Sequence, residues 1–200
     1  MAAAYFDKKF EAEATFELFV RSLPNGRGYL LFAGLEQGLD FLEQVRFTPE
    51  EVEFLRRHPV FKHVSDAFFD YLREFRFSGE IWAVREGVPV FANEPLIRVK
   101  APIIQAQLVE TFLLNSVAFP MLVATKAARL IEAAQGRGVV EFGTRRAHGP
   151  QAGLLAARAS YIGGCMGTSN VEAGFRFDIP TYGTIAHSYV MAYENEEKAF

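Results

Sequence analysis

Three short segments of the chain combine glycine with hydroxyl, guanidinium and imidazole side chains: Phe142-Gly-Thr-Arg-Arg-Ala-His-Gly149, Gly167-Thr-Ser-Asn170 and Gly183-Thr-Ile-Ala-His-Ser188. Glycine lets backbone N–H groups approach an anion closely, and hydroxyl or cationic side chains beside it can hold phosphate oxygens. Together the segments predict a phosphorylated ligand. Each alone has a plainer explanation. Thr168, Ser169 and Asn170 suffice to cap a following helix, Arg145 and Arg146 suit a solvated loop, and His187 could serve as a packing histidine. His58 and His63 flank a helix break among charges and read as surface residues, Cys165 reads as a small buried hydrophobe, and Trp82 as sheet packing.

The elements that would position these loops follow from periodicity. Beyond Gly136-Arg-Gly138, short apolar runs alternate with helical patterns: a strand at Val139 to Phe142, a helix from about Pro150, a strand at Tyr161-Ile-Gly-Gly164, a helix starting at Asn170, and a strand at Ile179 to Tyr182. That alternation is the grammar of βα units, in which functional loops leave the C-terminal ends of the strands. All three loops fall at such ends. The residues after Gly138 fall well short of the ~250 of a complete (β/α)₈ barrel, so a barrel built here is unfinished.

Upstream, Thr15 to Arg21 alternates Phe16, Leu18 and Val20 with polar residues, which predicts a half-buried strand. Pro24-Asn-Gly-Arg-Gly28 turns the chain into a second strand at Tyr29 to Ala33, and Leu35, Leu39 and Leu42 recur at helical spacing. Thr48-Pro-Glu-Glu51 is a capping box with proline at the first helical position, for a helix that stops near His58-Pro59. A further helix is expected over about Phe61 to Phe75, then β-rich sequence from Phe77 to Val99 with a turn at Arg85-Glu-Gly87. Ile103 onward predicts two helices separated at Phe119-Pro120. The organisation expected is an α+β domain over 1–102, a helical connection over 103–137, and the first part of an α/β barrel over 138–200, an α/β chain as a whole.

Composition narrows the function. Half of the 200 residues are hydrophobic and the aromatics include 20 Phe and 7 Tyr, which is the composition of a folded globular protein rather than a disordered one. The 21 basic and 24 acidic residues leave a net charge of −3 with no basic block, so nucleic acid is not an expected partner. A single cysteine and four scattered histidines make no metal-ligand pattern. No signal peptide develops before Asp7, Lys8 and Lys9, and the apolar region from Ile103 to Leu130 is broken by Gln105, Glu110, Lys126 and others, so neither export nor a membrane partner is expected. A reducing, cytoplasmic location fits.

Several motifs appear in one order: Phe16-Glu-Leu-Phe-Val-Arg21 with Leu23-Pro24, Ala33-Gly-Leu-Glu36, Glu94-Pro-Leu-Ile-Arg-Val99, Gln107-Leu-Val-Glu-Thr-Phe-Leu-Leu-Asn115, Ala124-Thr-Lys-Ala-Ala-Arg129, and the three loops. In this order the chain closely resembles nicotinate phosphoribosyltransferase, and the wording of Phe142 to Ala147 and of Gly183 to Ser188 is closer to it than to the sister nicotinamide and quinolinate enzymes. The resemblance implies a type II phosphoribosyltransferase-like fold, usually a head-to-tail homodimer. It also implies a reaction in which nicotinate and phosphoribosyl pyrophosphate yield nicotinate mononucleotide and pyrophosphate, driven by ATP with Mg2+ present.

Residue by residue, the resemblance maps the phosphorylated histidine onto His187, a nicotinate contact onto Thr184 and a phosphate contact onto Arg145, and Phe142 lies where the sister nicotinamide enzyme stacks an aromatic ring on the pyridine. Ser169 of the second loop completes the substrate-binding set. No metal ligand is assigned. The chemistry is self-consistent, since a neutral imidazole is a competent nucleophile toward a phosphoryl group and arginine stabilises a departing pyrophosphate. Two family features have no counterpart: a Thr-Asp-Leu-Tyr-Gln segment expected before the N-terminus, and later barrel strands expected after Phe200. The 200 residues alone are therefore expected to be inactive. The alternatives are a nicotinamide- or quinolinate-type enzyme and a short, non-catalytic ligand-binding or dimer-partner protein.

Overall fold

Alternating burial along the first strand sets the frame of the molecule. In a computed structural model describing residues 1–200, a short helix α1 (Ala2–Asp7) precedes β1 (Glu13–Phe19), in which Ala14, Phe16 and Leu18 are half-buried and their neighbours exposed. The chain continues through β2 (Leu30–Leu31), α2 (Leu35–Gln44), α3 (Pro49–Arg57), α4 (Asp66–Arg73), β3 (Glu80–Ala83), β4 (Pro89–Val90), β5 (Pro95–Pro102) and the long α5 (Ile103–Ala134). β5 is the centre of an antiparallel sheet in the order β1-β5-β3, and β2 pairs with β4 in a separate ribbon. Being central, β5 buries Leu96, Ile97, Val99 and Ala101. Its exposed side carries Arg98 opposite Glu17 on β1, paired at 2.6 Å, an exposed cross-strand pair of the kind that contributes ~0.2–1 kcal/mol. Trp82 lies opposite Arg98 on β3 and is half exposed, so it covers the outer face of the sheet.

The compact units are residues 1–125 and 126–200. In the first, α5 turns Ala106, Val109, Leu113, Val117 and Met121 into one cluster with Leu96, Ile97 and Val99 of β5 and with Phe32. α5 is long and apolar enough by length and composition to cross a membrane; in this structure its buried face packs into the core, while Phe112, Leu114, Leu122 and Leu130 are exposed. The expected break at Phe119-Pro120 does not occur. Proline removes one amide donor and normally costs ~3 kcal/mol inside a helix, but burial of Val117, Pro120 and Met121 keeps the helix continuous.

The capping box at Thr48 forms as expected: Thr48 Oγ accepts from Glu51 N at 3.2 Å and Thr48 N donates to Glu51 Oε2 at 2.8 Å. The helix expected over Phe61 to Phe75 is shorter, because Pro59–Phe61 forms a 3₁₀ turn and α4 starts only after Ser65. His58 and His63 are exposed.

The second unit holds β6 (Val140–Glu141), a 3₁₀ turn (Thr144–Arg146), α6 (Pro150–Ile162), β7 (Gly167–Thr168), α7 (Val171–Phe177), α8 (His187–Met191) and α9 (Glu196–Ala199). β6 and β7 are parallel, and Thr181 adds a single parallel bridge to Thr168. The sheets are open, with no closed barrel. The strand expected at Tyr161 to Gly164 is instead the end of α6, whose carbonyls at Ala159 and Tyr161 accept from Gly163 and Gly164. The strand lies farther on, where Gly167 can pack: a Cβ there would sit 2.3 Å from the Pro180 carbonyl and 2.4 Å from the Tyr182 ring.

Candidate active site

Parallel pairing decides where the three loops go. Glu141, Thr168 and Thr181 are lateral neighbours, and parallel strands run in the same direction at a spacing of ~4.8 Å. The residues that follow them, Phe142, Ser169 and Tyr182, therefore leave the same edge side by side. Ser169 N donates to Glu141 O at 2.9 Å and Tyr182 N to Thr168 O at 2.9 Å, which carries the ladder to the strand ends.

The first loop presents Phe142 at 44% exposure and then closes the one-turn Thr144–Arg146 helix, on which Arg145 and Arg146 are exposed. The second loop is more tightly held. Thr168 is fully buried, its hydroxyl donates to Glu141 Oε2 at 2.6 Å, and the same oxygen accepts from Asn170 N at 3.0 Å. Asn170 Oδ1 accepts from Ala173 N at 3.0 Å and caps α7. Capping thus falls to Asn170, which leaves Ser169, part-buried between them, without that task. The third loop is open: Thr184 and His187 are exposed, and His187 is the first residue of α8.

Glu141 is the residue that the sequence reading missed. Its Oε1 accepts from Gly143 N and its Oε2 from Thr168 Oγ. The only local hint is an acid ending the apolar run Val139-Val140, where a part-buried carboxylate needs hydrogen-bond donors, and nothing nearby in sequence names those donors. The buried Cys165 thiol is pushed above its usual range by burial and, secondarily, by the Glu141 charge, which keeps it protonated and unreactive at neutral pH. No three His, Cys, Asp or Glu side chains converge on a cation site. These residues alone supply no all-protein cage for the Mg2+ that the resemblance implies.

The fold matches known structures. Human nicotinic acid phosphoribosyltransferase superimposes with a TM-score of 0.89 at 39% identity, over 96% of this chain and 39% of that one. A nicotinate-nucleotide pyrophosphorylase from Pyrococcus furiosus shares the fold at a TM-score of 0.78 and 22% identity, over 99% of this chain and 42% of that one. An α+β unit feeding parallel βα units whose strand-end loops carry glycine, arginine and hydroxyls is the arrangement of the phosphoribosyltransferase class. The nicotinate phosphoribosyltransferase (NAPRTase) N-terminal domain matches residues 1–118 and the nicotinate phosphoribosyltransferase (NAPRTase) family matches residues 138–199. The chain belongs to the nicotinate phosphoribosyltransferase family.

Among its relatives are a nicotinate phosphoribosyltransferase of Mycobacterium tuberculosis, 48% identical over 200 residues, and one of Bacillus subtilis, 46% identical over 201 residues. Each alignment takes in all of this chain, which spans 42% of the first relative and 40% of the second.

Proposed function

We propose that these residues form the nicotinate and phosphate side of a site that transfers phosphoribose from phosphoribosyl pyrophosphate to nicotinate, in salvage of pyridine nucleotide. The observation that carries the reading is the delivery of three glycine-containing loops to one edge of a parallel sheet in a chain of this family. Phe142 stacks on the pyridine, Thr184 contacts nicotinate, and Ser169 and Arg145 hold phosphate oxygens. His187 accepts a phosphoryl group from ATP: a nitrogen–phosphorus bond forms, the bond to the β-γ bridging oxygen breaks, and ADP leaves. Water later releases the phosphate. The working protein is a cytoplasmic, head-to-tail homodimer.

Nicotinate turnover against nicotinamide turnover in the full-length protein tests this reading. A clear preference for nicotinate is expected, and a preference for nicotinamide would overturn it.

Arg145 is exposed on a single 3₁₀ turn, so its work is on the ligand rather than on the fold. A guanidinium grips two oxygens in a planar fork that an ammonium cannot reproduce, and charge-assisted hydrogen bonds contribute ~1.5–3 kcal/mol. Arg145→Lys should raise the KM for phosphoribosyl pyrophosphate by roughly 10- to 100-fold with an unchanged melting temperature. Wild-type kinetics in that variant would return the arginine to a solvated loop.

A further inference from the structure

We propose that Glu141 is a positioning residue for the transfer reaction, a clamp that fixes the first strand-end loop against the second; the inference rests on the function proposed above. Its bonds close a circuit. Gly143 N donates to one carboxylate oxygen and Thr168 Oγ to the other, at 2.6 Å in the second case. Thr168 Oγ accepts from Asn170 N at 3.0 Å, and Asn170 Nδ2 reaches Thr144 Oγ at 3.4 Å. Thr144 adjoins Gly143, where the circuit began. The Glu141 main chain adds a second tie, accepting from Ser169 N at 2.9 Å. One residue thus holds Phe142 and Arg145 on one side and Ser169 on the other.

The chemistry argues against a passive role. A carboxylate beside loops that receive a polyanionic substrate repels it, and a neutral side chain of the same shape would spare that repulsion. The acid is useful because it accepts at both oxygens at once. Glutamine offers one acceptor to two donors, so either the Gly143 N–H or the hydroxyl hydrogen of the fully buried Thr168 is left facing an NH2 group, and the circuit opens at that point.

A loosened pair of loops must be re-ordered when substrate binds, so the loss falls on binding and the bound complex still reacts. In the full-length protein, Glu141→Gln and Thr168→Val should each raise the KM for phosphoribosyl pyrophosphate about tenfold while kcat stays within about threefold. The double variant should be no worse than either single one, because both break the same bond. Thr168→Ser, which keeps the hydroxyl, should restore the wild-type KM. A scaffold residue would behave differently, lowering the melting temperature and the active fraction without moving KM. Amide exchange at Gly143 and Asn170, read without ligand, should speed up in Glu141→Gln. Unchanged exchange overturns the clamp, and faster exchange with an unchanged KM overturns its link to substrate. A wild-type protein that fails to use nicotinate defeats the functional reading instead, and exchange still decides the clamp.

Discussion

His187→Asn is expected to abolish ATP stimulation of nicotinate mononucleotide formation, bringing the ratio of rates with and without ATP to about one, while slow ATP-independent transfer persists. Asparagine has a comparable reach and can hydrogen-bond, but it has no imidazole nitrogen to attack the γ-phosphorus. The fold should not register the change. His187 is exposed and opens a five-residue helix with no buried side chain, and substitutions at such positions usually stay within ~0.5 kcal/mol. Wild-type protein incubated with ATP labelled at the γ-phosphate should carry an acid-labile, base-stable phosphoryl group that the variant lacks. Full ATP stimulation in His187→Asn, with melting as in wild type, would make the histidine a bystander. The loops around Phe142, Arg145 and Ser169 are untouched by this change, which is why residual transfer is expected.

Local signals in the sequence were strong where one short-range interaction decides the conformation. Thr48 and Glu51 satisfy each other's backbone amides, so the start of α3 needs nothing from the rest of the chain. The alternation of Phe16 and Leu18 with Thr15 and Glu17 likewise marks a strand with one wet face. The signals weakened where tertiary packing overrides propensity. Pro120 reads as a helix end, yet the core on both sides of it holds α5 straight through. Tyr161-Ile-Gly-Gly164 reads as a strand because its β-formers precede glycines, whereas Ala157, Ala159 and Ser160 are buried on a helix that extends to Ile162. Of the candidate site, the three loops were legible as clusters of glycine and polar residues. Glu141 was not, because its role depends on Thr168, which lies 27 residues away in sequence and meets it only through parallel pairing.

The same proline sets up the largest stability effect expected in the first unit, at Gly34. Pro120 has no amide hydrogen, so it gives nothing to the Ser116 carbonyl one turn earlier in α5. Gly34 packs against that carbonyl: a Cβ at position 34 would stand 2.2 Å from Ser116 O and 2.9 Å from Val117 Cα. The position also has a φ of +100°, where side chains other than glycine are strained. Glu86 locks the backbone in place, its carboxylate accepting from Gly34 N at 2.5 Å and from Leu35 N at 3.0 Å at the start of α2. Neither wall can retreat, since α5 is the centre of the core and the loop is pinned. Gly26 separates the two costs, because it too has a positive φ, +73°, but open space around it. Gly26→Ala should therefore show the conformational strain alone, about 1–2 kcal/mol. Gly34→Ala adds overpacking of a rigid core, ~1–3 kcal/mol, for a total of about 2–5 kcal/mol and a fall in melting temperature of roughly 10 °C. Urea unfolding of both variants beside wild type measures the difference, with amide exchange along α5 reporting where the loss falls. Equal destabilisation by the two alanines would mean that α5 yields at Ser116, and that the proline-freed carbonyl does not require glycine opposite it.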